Sequence, residues 1–129
     1  MGRVMGQRLS GKRIVVTDAG DFMGPAVTDL FTEEGAEVIA DRRDLRPLAA
    51  ASELIAEAGH IDVLVANLSI PNPRALAHET TDAQWAEVFD RLVHPLHRLC
   101  RAVLPQMIER RGGKTVSYPH LTLPKLASL

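Results

Sequence analysis

Apolar residues follow two alternating patterns along the chain. Short runs rich in Val, Ile and Leu, with little polar alternation, stand at residues 14–17, 38–40 and 61–66. Such runs are typical of strands in a parallel sheet that is covered on both faces. Between and after these runs, apolar residues recur at helical spacing. The alternation predicts an α/β fold, an open, doubly wound parallel sheet of the kind that binds ligands beyond its strand ends.

Proline and glycine mark the ends of the first two predicted helices. Pro25 suits the first turn of a helix that Gly35 would stop. A second helix is predicted from near Pro47 to Gly59. Each helix follows one apolar run, which gives strand, helix, strand, helix.

A third helical region is predicted after residue 80. Thr81 and Gln84 have capping-box spacing, which predicts a helix start. We expect Pro95 to kink or break this helix, because proline lacks the N–H of the helical ladder. A further helical stretch then continues toward Gly112.

Composition excludes several classes of protein. The 129 residues are 46% hydrophobic and 24% charged with a net charge of -1, as expected for one globular domain without a nucleic-acid footprint. Asp62 and Asn67 interrupt the longest apolar stretch, and residues 1–10 contain no secretory core. We therefore expect a cytoplasmic protein with no membrane or nucleic-acid partner.

Cys100 is the only cysteine, which predicts a buried structural thiol in a reducing compartment.

The loop after the first strand reads Thr-Asp-Ala-Gly-Asp-Phe-Met-Gly over residues 17–24. It resembles the T-G-x-x-x-G-x-G loop of short-chain dehydrogenases/reductases, whose backbone N–H groups and helix N-terminus face the cofactor pyrophosphate. Asp18 and Phe22 stand where that pattern has glycines, and a carboxylate ~4 Å from a phosphate costs ~4 kcal/mol at a dielectric of ~20. The resemblance implies cofactor contacts from Thr17, Asp18, Gly20, Asp21, Phe22, Met23 and Gly24.

The end of the second strand implies the nature of the adenosine site. Asp41 looks like the acid that hydrogen-bonds the adenosine ribose in NAD-dependent members, so the resemblance implies NAD. Arg42 and Arg43 leave NADP as the alternative, and a solvated charged turn is the reading without a ligand. Asp44 and Leu45 would stand in for the Asp-hydrophobe pair that flanks the adenine in relatives.

The third strand adds another part of the resemblance. Residues 62–70 are similar to D-x-L-V-N-N-A-G-I, with Asn67 at the second asparagine. Leu68 and Ser69 depart from that pattern, and all three residues are expected beside the cofactor. The family usually has another helix and strand before this segment, whereas only one helix fits between Asp44 and Ile61.

The residues that would perform the chemistry are missing. The family uses a Ser together with a Tyr and a Lys spaced Y-x-x-x-K to move a proton during alcohol-carbonyl interconversion by hydride transfer. Tyr118 is the only tyrosine, Thr122 stands four positions later, and Lys125 lies seven away. Leu92 occupies the usual position of the active-site Asn. We predict no catalytic residue in this chain, and no activity from it alone.

The chain divides into a polar lead (1–10), a partial Rossmann domain (11–116) and a tail (117–129). The tail does not resemble the family, because its prolines oppose a central strand. We hypothesise that it arises from a frameshift, an assembly join or a truncation. Absence of a downstream Y-x-x-x-K in every reading frame would count against this hypothesis.

Two other functions stay open. A non-catalytic nucleotide-binding or assembly module would explain the replaced glycines. A phosphoacceptor receiver domain has a similar architecture, but Asn67 stands where a phosphorylatable Asp is needed.

His94 and His97 are spaced for metal ligation without a third ligand, so we predict no metal. In the intact parent we expect a small-molecule substrate and a homo-oligomer.

Overall fold

The structure, a computed structural model, describes residues 6–71 and 75–119 of the chain. Its strands form one sheet in the order β2-β1-β3-β4, and every pair is parallel. The strands are β1 (Arg13–Val16), β2 (Glu37–Ala40), β3 (Val63–Leu68) and β4 (Lys114–Pro119). The helices are α1 (Gly24–Glu33), α2 (Ala50–Ala58), α3 (Asp82–Val88) and α4 (His94–Glu109). The parallel α/β prediction is confirmed.

Helices cover both faces of the sheet. Successive side chains of a strand point to opposite faces, so Val15 and Leu64 join one core while Ile14 and Val65 join the other. The first core includes residues of α2 and α4, such as Leu54, and the second packs against the partly buried apolar side of α1. This two-sided covering explains why the strand sequences lack polar alternation.

The predicted helix signals lie close to the observed ends. Pro25 lies in the first turn of α1, and Gly59 caps α2 with a φ of 73°. Thr81 and Gln84 form both bonds of the capping box, at 3.1 and 2.9 Å. The helix predicted from near Pro47 begins three residues later, at Ala50.

Of the two effects expected of Pro95, a kink or a break, the structure shows no break. A π-helical segment (Phe89–Val93) joins α3 directly to α4, and the N–H of His94 reaches back to the carbonyl of Phe89. Because Pro95 has no N–H to offer the preceding turn, the wider π turn takes up the mismatch without ending the helix.

Two strand ends also differ from expectation. β3 begins and ends two residues later than predicted, so Asn67 and Leu68 belong to the strand. β4 continues to Pro119, and the domain boundary placed at residue 116 therefore falls inside it. Pro119 is compatible with a strand here because it is the last residue of β4, which borders only β3 in the described sheet.

Two further points concern single expectations. Cys100 is partly buried on α4, less enclosed than predicted. None of the helices in the described ranges has the length and apolar character needed to cross a bilayer.

Candidate nucleotide site

The loop after β1 is held to β3 by a buried threonine. Thr17 is fully buried, and its Oγ1 donates to the carbonyl of Asn67 at 2.8 Å. Its N–H donates to Val65, also on β3. The loop is tied to β2 as well, because the N–H of Ala19 donates to Asp41 at 2.9 Å. The three strand ends that sequence analysis singled out therefore meet at one edge of the sheet.

Asp18 and Phe22 adopt backbone conformations that favour glycine. Their φ angles are 47° and 50°. For residues with a Cβ, this left-handed region costs about 1–2 kcal/mol, with Asp better tolerated than an aromatic residue. These are two of the three positions where the family pattern has glycine, and the third is Gly24. The loop thus keeps the backbone path of a glycine-rich loop after losing two of its glycines.

Gly24 permits the close approach of α1 to this loop. A Cβ at Gly24 would lie 2.6 Å from the backbone carbonyl carbon and oxygen of Ala19, closer than real Cβ contacts. A Cβ at Gly20 would instead lie 3.4 Å from Nε of Arg42, a flexible side chain. Only Gly24 is therefore required by packing against backbone.

The carboxylates of the loop turn toward Ser69, just beyond β3. Its hydroxyl contacts the carboxylate of Asp18 and lies 3.0 Å from Oδ2 of Asp21. Asn67, almost completely buried, donates from Nδ2 to the backbone carbonyls of Asp18 and Asp21 at 3.0 and 3.1 Å. Ser69 and Asp18, which both depart from the family pattern, are therefore in contact with each other, and Asp21 joins them through the same hydroxyl.

The charges at the end of β2 are divided between a paired and an unpaired arginine. Arg43 donates to Asp41 at 2.8 Å and to Glu57 of α2 at 2.6 Å, and these hydrogen bonds, Glu57 first, raise the pKa of Arg43. Asp41 is thus ion-paired with Arg43 and almost enclosed, with its side chain 10% exposed. Within the described ranges, no hydrogen bond or ion pair engages the guanidinium of Arg42, which runs beside Gly20.

A cavity of about 220 Å³ lies beyond the strand ends. Its lining includes five predicted site residues, Asp18, Asp44, Leu45, Leu68 and Ser69. The remaining lining residues are Arg42, Arg43, Arg46, Arg91 and Pro95. The side chain of Arg46 donates to Asp44 and lowers the pKa of Asp44 to about 2, so this carboxylate is charged at neutral pH.

The other predicted site residues do not line the cavity. Phe22 and Met23 are about 40% and 38% exposed, while Thr17 and Asn67 lie beneath the loop as structural supports. Asp41 faces Arg43. The N–H groups of Asp21 and Gly24 donate to carbonyls of the loop itself, and Gly20 lies beside Arg42.

Arg46, Arg91 and Pro95 are cavity residues that sequence reasoning missed. Arg91 lies in the π segment, held by Glu87 at 2.9 Å, and Pro95 begins α4. Arg91 and Pro95 lie more than 20 residues after β3, and the sequence pattern did not relate them to the strand ends. The capping box at Thr81 predicted a helix after β3, but it did not show which side of that helix faces the cavity.

The family model for short chain dehydrogenase matches residues 44–118. This range is more than half of the chain and runs from the cavity through β4. The chain belongs to the short chain dehydrogenase family. Its parallel sheet, the glycine at position 24 and the strand-end cavity agree with that assignment.

Named relatives and a solved structure give the same family. D-xylose 1-dehydrogenase of Caulobacter vibrioides is 32% identical over 85% of this chain and 54% of the relative. A 3-oxoacyl-(acyl-carrier-protein) reductase of Vibrio harveyi is 28% identical over 84% of this chain and 54% of the relative. A structure from Burkholderia xenovorans, described as a short-chain dehydrogenase/reductase, superimposes with a TM-score of 0.75 at 30% identity, over 87% of this chain and 57% of that chain. The chain spans about half the length of the curated relatives it matches.

The positions expected for catalysis are occupied by other features. Leu92, in place of the family Asn, is buried in the core that includes α2 and α4. Tyr118 pairs with Asn67 in the register of β4 and β3. Thr122 and Lys125 lie outside the described residues. His94 lies 4.0 Å from Asp90, and in the described ranges no three potential ligands are grouped for a metal ion.

Proposed function

We propose that this chain is the nucleotide-binding half of an NAD(P)-dependent oxidoreductase that interconverts an alcohol and a carbonyl. The observation that carries the proposal is the convergence of three parallel strand ends on an arginine-lined cavity beside the close approach of Gly24. In such sheets ligands bind beyond the carboxyl ends of the strands. The relatives named above, a dehydrogenase and a reductase, support the same class of reaction.

The residues present fit the adenosine end of a dinucleotide better than its pyrophosphate. Leu45 and Leu68 give the cavity apolar surface, and Arg42 and Arg91 give it positive charge. Asp18 and Asp21, in contrast, put two carboxylates on the loop that would face the phosphates. When bound, the nicotinamide would supply the hydride. The proton-transfer groups of the family, a Ser and a Y-x-x-x-K pair, do not occur in this chain at the family's spacing. The small-molecule substrate and a homo-oligomer are proposals for the intact parent.

We propose NADP rather than NAD as the preferred nucleotide. The implication of NAD relied on Asp41 being available to a ribose, and Asp41 is held by Arg43. Arg42 is unpaired in the described ranges and lines the cavity beside Gly20. A guanidinium free of partners suits a 2′-phosphate, which it can bind through two N–H groups.

Calorimetric titration of the chain with NADPH and NADH tests both parts of this proposal. We expect NADPH to bind at least tenfold more tightly than NADH. Arg42→Ala should lower the affinity for NADPH about tenfold and leave that for NADH within twofold. Arg101→Ala, an equal charge change at an exposed position of α4, is the control and should change neither. Tighter binding of NADH would contradict the preference, and binding of neither nucleotide would contradict the site.

A non-catalytic nucleotide-binding module is the second candidate. Leu92 favours it, because its side chain is buried in the core where the family has a polar active-site residue. An intact parent gene that encodes no Y-x-x-x-K beyond residue 119, together with NADPH binding by this chain, would support the second candidate over the first.

A further inference from the structure

Four backbone N–H groups of the loop between Asp18 and α1 are already bonded within the protein. Three of them donate to backbone carbonyls: the N–H of Ala19 to the carbonyl of Asp41, that of Asp21 to the carbonyl of Asp18, and that of Gly24 to the carbonyl of Asp21. The N–H of Phe22 donates to a carboxylate oxygen, Oδ1 of Asp21, at 2.8 Å. A loop of this kind binds a phosphate through N–H groups that point outward. Here a side-chain anion takes one of those donors.

The second oxygen of the same carboxylate is also held. Oδ2 of Asp21 lies 3.0 Å from the hydroxyl of Ser69, which also contacts Asp18. Asp21 is therefore held at Oδ1 by the loop backbone, while its Oδ2 shares the single hydroxyl proton of Ser69 with the carboxylate of Asp18. A freely rotating exposed carboxylate would leave the loop open, whereas this one is aligned across it.

The helix that follows offers no competing anion. α1 has Met23 at its N-cap without a side-chain hydrogen bond, and its first turn has no acidic residue. The N-terminal end of a helix attracts negative charge through its exposed N–H groups. The carboxylate of Asp21, two residues before the N-cap, is the loop anion closest in sequence to this end of α1.

We infer that Asp21 is an internal ligand of the loop, whose carboxylate occupies the anion position ahead of α1 and competes with the pyrophosphate of the dinucleotide. This inference rests on the proposed nucleotide site. The pyrophosphate displaces the carboxylate from the N–H of Phe22 and from Ser69 when it binds. Affinity is lowered both by the bonds that must be broken and by repulsion between the carboxylate and the phosphates.

Asp21→Asn tests the inference because it removes the charge and keeps the shape of the side chain. We expect the dissociation constant for NADPH, measured by calorimetry on the 129-residue chain, to fall at least fivefold. Asp21→Ser, which removes both the charge and the reach, should give a similar gain. Asp29→Asn makes the same charge change at an exposed position of α1 and should leave the constant within twofold. Melting temperatures within a few degrees of the parent chain would show that the variants are folded.

The outcomes separate this inference from the function on which it rests. If the parent chain binds NADPH and Asp21→Asn gains less than fivefold, the internal ligand is overturned and the nucleotide site stands. An equal gain in Asp29→Asn would also overturn it, because net charge would then explain the effect. If no variant binds NADPH, the nucleotide site is refuted and the internal ligand falls with it.

Discussion

Asn67 at the end of β3 donates its side-chain amide to the backbone carbonyl of Asp18, 3.0 Å away in the loop after β1. A second bond from the same nitrogen reaches the carbonyl of Asp21 at 3.1 Å. Asn67 is almost fully buried, and both bonds are partly shielded from solvent. One side chain thereby fixes the path of the loop that carries the candidate nucleotide site.

Removing this amide should destabilise the loop. We expect Asn67→Ala to lower the free energy of unfolding by about 2 kcal/mol, because two partly buried loop carbonyls lose their donor and a buried side chain is truncated. Asn67→Asp should cost at least as much, since a carboxylate cannot donate to a carbonyl. Urea denaturation measures both changes. Ser69→Ala at the partly exposed neighbour is the comparison, and an equal loss there would show that Asn67 has no special role.

The left-handed conformation of Phe22 predicts an unusual order of two substitutions. At ordinary backbone angles alanine is more stable than glycine by about 0.5–1 kcal/mol. With a φ of 50°, Phe22→Gly should instead be more stable than Phe22→Ala by about 1 kcal/mol, because the glycine relieves strain. Both variants lack the ring, so their difference isolates the backbone. Denaturation curves with alanine ahead of glycine would show that position 22 is not left-handed.

The close approach of Gly24 to Ala19 predicts a contrast between two glycines of one loop. Gly24→Ala places a Cβ 2.6 Å from backbone atoms of Ala19, and we expect a loss of about 2 kcal/mol or more, typical of overpacking against a rigid neighbour. Gly20→Ala meets only the flexible Arg42 side chain at 3.4 Å and should cost less than about 1 kcal/mol. Thermal unfolding of both variants makes the comparison. Equal losses would contradict the packing described for α1.

Asp62 predicts part of the acid sensitivity of the fold. The N–H of Arg13 donates to Asp62 at 2.8 Å and lowers the pKa of Asp62, with a smaller contribution from His60. The pKa of Asp62 in the folded state is therefore below its unfolded value of about 3.9. The resulting stabilisation is present above about pH 4 and is lost as the pH falls through the lowered folded value. We expect Asp62→Asn to be less stable than the parent at pH 7 by about 1 kcal/mol, with the difference narrowing below pH 4. A difference independent of pH in denaturant titrations would contradict this.

Much of the fold could be predicted from apolar runs. Val15 and Leu64 lie in runs without polar alternation, and such runs arise when both faces of a strand are buried. The short interval between Asp44 and Ile61 also predicted one helix there, and α2 is that helix. Pro95 indicated an irregularity in this helical region, but a π turn depends on three-dimensional packing and could not be predicted from the proline alone.

The candidate site was less predictable, because charge pairing is a tertiary property. Asp41, Arg42 and Arg43 are adjacent in sequence, and the position of Glu57 on α2, which pairs with Arg43 as Asp41 does, cannot be seen from that adjacency. Arg91 reaches the cavity from a helical segment far along the chain. Sequence position alone shows neither that Glu57 lies beside Arg43 nor that Arg91 lies at the cavity. The positive φ angles of Asp18 and Phe22, by comparison, agree with the glycines that the family pattern has at those two positions.

The central claim, that the first three strand ends form a dinucleotide site, is tested most directly by hydrogen-deuterium exchange of the chain with and without saturating NADPH. We expect NADPH to slow exchange in peptides covering residues 17–24, 41–46 and 67–69, and to leave residues 104–113 at the far end of α4 unchanged. Unchanged exchange in the three strand-end segments, or protection confined to the end of α4, would contradict the claim.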